Sequence, residues 1–269
     1  MSEERVFTMS ESTVEVNFAL RIGEGTLKAS INVPAGQTTL TAILPVIQNF
    51  DSNMIQRVVN EAAEAGQPVS CRAGCGACCR QMVPLSIFEA ESLSEWFSTL
   101  PDERQRELED RFAQGLTKLR DAGVLERIMS SGWGGEEKEF VQLAIDYFHI
   151  GVPCPFLENE SCGIYPIRPL ICREYLVTSP VEYCNDPSIY QISAINLPIR
   201  PSQALYNISR ELTREEKGWM PLIFLLAWAK RGLKPGEYYT GTGEQVLHTF
   251  MNHLTTEPSP EAIGIMQPK

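Results

Sequence analysis

Apolar residues recur at two different periods along this chain, and each period predicts a local structure. Val14, Val16 and Phe18 alternate with polar neighbours, the spacing of two that belongs to a strand. Gly23 and Gly25 then offer a turn, Leu27, Ala29 and Ile31 alternate again, and Pro34-Ala35-Gly36 ends the run. The pattern predicts a hairpin of residues 13–21 with residues 26–32, and a third strand over residues 39–46.

From residue 52 the spacing becomes that of a helix. Residues 52–65 place Met54, Val58 and Ala62 on one face, with Ser52 as the cap and Gly66 as the stop. Ser86, followed three residues later by Glu89, is a capping box that opens a helix carrying Leu93 and Trp96. Pro101 starts another, with Leu108, Phe112, Leu116 and Leu119 on one face. A short helix is expected over residues 121–129 and a longer one over 136–148, where Phe140, Leu143, Ala144 and Tyr147 are spaced helically. Further helices are expected over 202–217, 221–230 and 244–254. Residues 131–135, which carry Trp133, and residues 233–243 read as loops, and the tail with Pro258, Pro260 and Pro268 as irregular. The fold class that follows is α+β: mostly helical, with an N-terminal β-hairpin region and an irregular cysteine-rich metal-binding core. The expected organisation is a β segment over 1–50, a cysteine-cluster metal-binding domain over 51–190 and a helical region over 191–269, joined as one continuous unit.

Composition narrows the function. The chain has 269 residues, 43% hydrophobic and 21% charged, which suits an ordered protein able to bury a core without help from a metal. Asp and Glu outnumber Lys and Arg 34 to 23, a formal charge of -11. Such a surface repels phosphate backbones, so a nucleic-acid partner is not expected. The first residues are acidic and polar, with no leader-like apolar stretch. The most hydrophobic run, residues 220–229, is interrupted by Pro221, whereas a membrane-spanning helix needs about 20 apolar residues. A cytoplasmic location without membrane attachment is therefore expected, and any macromolecular partner should be another protein.

Eight cysteines stand out in that setting, because disulfides are disfavoured there and clustered thiols more often bind metal or do redox chemistry. Cys71, Cys75, Cys78 and Cys79 lie in the string CRAGCGACCR. The two-residue gap between Cys75 and Cys78 lets a tight turn aim two sulfurs at one metal. Gly74 and Gly76 let the backbone fold closely around them. Cys78 and Cys79 are adjacent, so one of them can face a second metal, another edge of a cluster, or the core. Cys154, Cys162, Cys172 and Cys184 form a wider second group. The two groups supply enough thiolates for two four-ligand sites or one shared assembly; a single four-ligand site with spare thiols is the alternative. Both metals that favour thiolates, zinc and iron in iron–sulfur clusters of the 4Fe-4S type, accept four cysteines. The long, uneven spacing fits an iron–sulfur cluster buried between segments better than paired zinc knuckles.

Arginines flank both groups: Arg72, Arg80, Arg168 and Arg173. Positive neighbours would offset thiolate charge and lower cysteine pKa values, although pairing with surface acids would explain them equally well. Tyr165 and Tyr175 flank the second group and either pack the centre or line a cleft. Of the three histidines, His149, five residues before Cys154, is the best substitute ligand.

The strings CRAGCGACCR and CPFLENESCGIYPIRPLICREY resemble the bacterial CxxCxxCC cysteine-cluster family of zinc- or iron-chelating proteins, which includes the YkgJ-like proteins and flagellin lysine N-methylase. Cys75, Cys78 and Cys79 match the close-set end of the first motif, with three residues rather than two before Cys75. Cys154-Pro155-Phe156-Leu157, Cys162-Gly163-Ile164-Tyr165, Arg168-Pro169 and Cys172-Arg173 match the second, and Cys184 matches more loosely. The resemblance implies a metal-binding domain; the two cysteine groups make all eight cysteines its candidate ligands, and Arg72, Arg80, Tyr165, Arg168 and Arg173 are the candidate residues around the cofactor. It also brings in S-adenosylmethionine-dependent methylation of protein lysine as a minor alternative. Glycines arranged as GxGxxG after a strand are absent from the sequence. The function expected is thus a cysteine-cluster protein with an iron–sulfur centre in a redox or protein-modifying role; the alternative is a zinc-binding structural or interaction module.

Overall fold

The computed structural model describes residues 12–22, 25–130, 137–213 and 218–254. Strands β1 (Thr13–Ile22) and β2 (Gly25–Pro34) pair antiparallel, with Val16 opposite Ile31 and Phe18 opposite Ala29. The alternation therefore buries Leu20, Ile31 and Val33 on one face. Strand β3 (Gln37–Thr39) follows, and helix α1 (Leu44–Glu64) leaves it at once.

The third strand expected over 39–46 is thus corrected to residues 37–39, and the helix expected to start at Ser52 starts at Leu44. Proline at the start of α1 has its φ already suited to a helix and no N–H to lose. Leu44, Ile47, Phe50, Met54 and Ile55 then recur at helical spacing, a stripe that outweighs the short alternation before it. Ser52 lies inside the helix, where its hydroxyl donates to the Gln48 carbonyl at 2.8 Å.

Strand β4 (Pro84–Leu85) leads into helix α2 (Ile87–Ser98), followed by α3 (Asp102–Asp121), α4 (Leu125–Ser130) and α5 (Glu137–Ile150). The capping box at Ser86 and Glu89 forms as the sequence requires, with both reciprocal hydrogen bonds present. The loop expected over 131–135, with Trp133, lies outside the described residues. The next stretch holds only short elements: β5 (Leu157–Glu158), β6 (Ser161–Cys162) and α6 (Leu170–Glu174). Helix α7 (Pro201–Thr213), β7 (Met220–Pro221), α8 (Leu225–Ala229), β8 (Thr240–Thr242) and α9 (Gly243–Leu254) complete the order. The helix expected over 221–230 is shorter, because Met220 and Pro221 pair with Leu85 and Pro84 and a 3-10 turn over Leu222–Phe224 intervenes. The loop expected over 233–243 contains β8, which pairs with β3.

Two large cores result. One joins the hairpin, α1, α7 and α9 around residues such as Val33, Phe50, Leu205 and Phe250. The other gathers α2, α3, α4, α5 and α8 around Leu108, Phe112, Phe156 and Trp219, with Cys154 and Cys162 packed at its margin. The fold is α+β and mostly helical, with short antiparallel strand pairs. Among the described residues, no helix is long and apolar enough to cross a membrane.

Candidate metal centre

The first cysteine group is shaped by two glycines and a 3-10 turn over Ala77–Arg80. Gly74 adopts φ +79°, the left-handed conformation that bends the chain between Cys71 and Cys75. The Cys75 N–H then donates to the Arg72 carbonyl at 3.2 Å, and the Cys79 N–H to the Gly76 carbonyl at 3.0 Å. Gly76 serves close approach: a Cβ there would stand 2.5 Å from Glu160 Oε2 and 2.9 Å from Leu157 Cδ1. The second cysteine group therefore packs directly on the first.

That contact comes from the β5–β6 hairpin, whose two-residue turn places Asn159 at φ 48° and Glu160 at φ 58°. Left-handed values at both positions match the twist of paired strands. Glutamate gains nothing from this conformation by itself, but Arg80 grips both its oxygens, at 2.7 and 3.0 Å. The hairpin sets Cys162 opposite Leu157. The Cys154 N–H donates to the Cys79 carbonyl at 2.6 Å, a direct backbone tie between the two groups. Arg104 and Arg111 of α3 both reach the Glu158 carboxylate and anchor the hairpin to the helical body.

Cys172 is placed by its neighbours. Glu89, buried within α2, uses one oxygen in the capping box and accepts the Leu170 N–H on the other at 2.8 Å. One carboxylate thus fixes the starts of both α2 and α6. Arg173 bonds the Arg168 and Pro166 carbonyls and the Ser52 hydroxyl, and Glu174 accepts the N–H and hydroxyl of Ser202 at 2.7 and 2.6 Å. Cys184 lies in a 3-10 turn and packs with Val177 and Ile192 against Cys71, Ala77, Tyr175 and Tyr183. On that side the Val177 N–H already points at sulfur, 3.4 Å from Cys71 Sγ.

Electrostatics shows how the thiols converge. Cys78 is a charge neighbour of Cys71, Cys184, Cys154, Cys162 and Cys172, and its free thiol shares a hydrogen bond with that of the adjacent Cys79. Two wings meet there: Cys71, Cys75 and Cys184 on one side, and Cys154, Cys162 and Cys172 on the other. Burial pushes the Cys154 thiol up to about 12 and Cys184 up to about 11, with neighbouring sulfurs adding to both. The Cys78 thiol is raised further, first by its bond with Cys79 and then by burial. Backbone N–H groups oppose this, Val177 at Cys71, Phe156 at Cys154 and Ile164 at Cys162. Arg168 is the recurring positive neighbour, lowering Cys71, Cys78, Cys162 and Cys172. Its guanidinium lies 4.0 Å from the Tyr165 ring centroid, while its buried Nε–H has no hydrogen-bond partner. Soft donors, amides aimed at sulfur and a half-buried Arg168 with one donor unpaired fit a thiolate-bound metal. Among the described residues no three Cys, His, Asp or Glu side chains are gathered closely enough to hold an ion as they stand. Cys78 is thus the thiol felt by both groups, and the groups do not close into a finished cage.

The remaining candidates sit elsewhere. Arg72 is exposed, Arg80 is engaged by Glu160, and Arg173 is engaged by carbonyls and Ser52. Tyr165 is largely exposed. His149 Nε2 lies 3.4 Å from Asp186 Oδ1, close to the Cys184 turn. Sequence reasoning missed Asp51, which is fully buried with both oxygens unpartnered, and the unpartnered Tyr175 hydroxyl. Asp51 had a legible signal, a carboxylate in the middle of the apolar stripe Ile47, Phe50, Met54 and Ile55.

No curated protein and no solved structure matches this chain significantly. Residues 70–192, which hold all eight cysteines, match the family model described as CxxCxxCC, putative zinc- or iron-chelating domain, and this segment is accordingly a metal-binding cysteine cluster of the zinc- or iron-chelating type.

Proposed function

We propose that the eight cysteines hold an iron–sulfur centre and that the protein uses it in electron transfer or in modifying another protein. The observation that carries this reading is the meeting of two distant cysteine groups at Cys78, tied by the Cys154 N–H to Cys79 carbonyl bond. Eight thiols exceed what one tetrahedral zinc needs. Amides directed at the sulfurs of Cys71, Cys154 and Cys162 are the kind of donors that set cluster potentials. A bound cluster would supply one-electron chemistry; the chain's own groups would hold its sulfurs, with Arg168 offsetting their charge.

Burial holds the Cys154 and Cys184 thiols above the ordinary thiol range, so loading through them must release protons and should tighten as pH rises. The test is anaerobic purification and reconstitution, with iron, zinc and acid-labile sulfide assayed in the wild type and in Cys172→Ser. The expected result is a brown protein with iron and sulfide that the variant loses. Stoichiometric zinc without sulfide in the wild type would turn the reading to a zinc-bound structural or interaction module.

A further inference from the structure

Four buried side-chain atoms lack a hydrogen-bond partner among the described residues: both Asp51 oxygens, Arg168 Nε and the Tyr175 hydroxyl. Asp51 and Arg168 lie within electrostatic reach of one another, so each has a counterpart. The Tyr175 hydroxyl has no such counterpart. The side chain that carries it packs against the cluster of Val177, Cys184 and Ile192, beside Cys71. Gln81 is near but outside hydrogen-bonding geometry. A buried tyrosine hydroxyl normally finds a partner, because leaving it unpaired sacrifices its hydration. The polarisable groups in the cluster this side chain packs with are sulfurs, those of Cys184 and Cys71. An acceptor that completes this site must therefore come with the sulfurs. A thiol is a weak acceptor, whereas a metal-bound thiolate or sulfide carries the lone pairs and charge that an O–H seeks.

We infer that Tyr175 is a positioning and tuning residue of the metal centre, its hydroxyl donating to a centre sulfur on the side of Cys71 and Cys184. This rests on the iron–sulfur reading. It adds a second donor beside the Val177 N–H, which lies on the same side. A hydrogen bond to sulfur draws off negative charge and stabilises the reduced, more negative state, so it raises the reduction potential.

The test uses the full chain, reconstituted anaerobically with ferrous iron and sulfide and titrated potentiometrically with dithionite. Tyr175→Phe is compared with the wild type and with Tyr238→Phe, a tyrosine 73% exposed. Tyr175→Phe should keep its iron and sulfide and titrate at a lower potential, while Tyr238→Phe matches the wild type. A fully loaded Tyr175→Phe at the wild-type potential overturns the inference and leaves the iron–sulfur reading standing. A wild type that takes up no iron and sulfide removes the acceptor and overturns both. Should Tyr175→Phe fail to fold, 3-fluorotyrosine at position 175 decides. Its more acidic hydroxyl is a stronger donor and should raise the potential, and no shift overturns the inference.

Discussion

Helix α1 touches two regions that treat buried polar atoms in opposite ways. Phe50 faces the core shared by the hairpin, α7 and α9, and the polar groups buried around the helical body are matched: Glu91 accepts from Thr41 and the Gly236 N–H, and Gln203 bonds Asn207. Asp51, the next residue along, faces Arg168, Arg173 and Glu174 with both oxygens unpartnered. The buried side-chain nitrogen and oxygen atoms without a partner among the described residues, on Asp51, Arg168 and Tyr175, fall on this second side. A body that satisfies its polar groups folds on its own account; a shell that leaves them open is arranged for something other than stability.

The strongest way to break that contrast is to damage the body alone. Phe250 is fully buried in the core that contains no cysteine. Phe250→Ala should cost about 3–5 kcal/mol, from lost transfer free energy and the cavity left behind. The loss should be equal in metal-free and metal-loaded protein, measured by urea unfolding of each. A loss that shrinks sharply on loading would mean that the metal, not this core, holds the body together.

Much of the body could be read in advance because its signals are local. The hairpin alternation, the Ser86 and Glu89 capping box and the face of α3 each depend on residues a few positions apart. The start of α1 was misread because Leu40 to Val46 is apolar enough to suit either period, and only the downstream stripe decides. At the site, residue types were legible and their roles were not. Arg80, Arg168 and Arg173 look alike in sequence, yet Glu160 takes the first, backbone carbonyls and Ser52 the third, and only Arg168 keeps a buried donor unpaired. The pairings with Glu160 and Ser52 join residues some 80 to 120 positions apart, which no local pattern carries.

A weaker perturbation addresses the shell. Burial, with Glu174 adding to it and Arg173 opposing it, raises the Asp51 pKa far above its ordinary 3.8. A carboxyl whose pKa is raised on folding contributes stability in full below its unfolded value and loses it as pH rises through the folded value. Wild-type stability should therefore fall from about pH 4 upward for as long as Asp51 stays protonated in the fold. Asp51→Asn removes this slope. Relative to the wild type it should gain up to about 4 kcal/mol between pH 5 and pH 8, the ~1.4 kcal/mol per pH unit of one proton held by the fold and not by the unfolded chain. Unfolding curves at the two pH values that stay parallel for variant and wild type would show that Asp51 has a partner in solution and that the shell is no less satisfied than the body.

The smallest expected effect lies at the seam between the regions. Ser86 belongs to the body, but the carboxylate it shares, Glu89, also holds the Leu170 N–H and so the helix that carries Cys172. Ser86→Ala deletes the hydroxyl that caps α2 through the Glu89 N–H, a loss of about 1 kcal/mol. Glu89 still accepts the Ser86 backbone N–H at 3.1 Å and the Leu170 N–H at 2.8 Å. The carboxylate therefore has reason to stay where it is, and α6 with it. The expected outcome is a small loss of stability with unchanged metal content and an unchanged rate of metal release to a chelator. Replacing Glu89 itself by Gln gives the contrast within the same measurement: one amide oxygen cannot accept at both helix starts, so release should quicken. If Ser86→Ala alone speeds release, the cap tunes the site directly, and the boundary drawn between a self-sufficient body and an open shell runs through α2 instead of beside it.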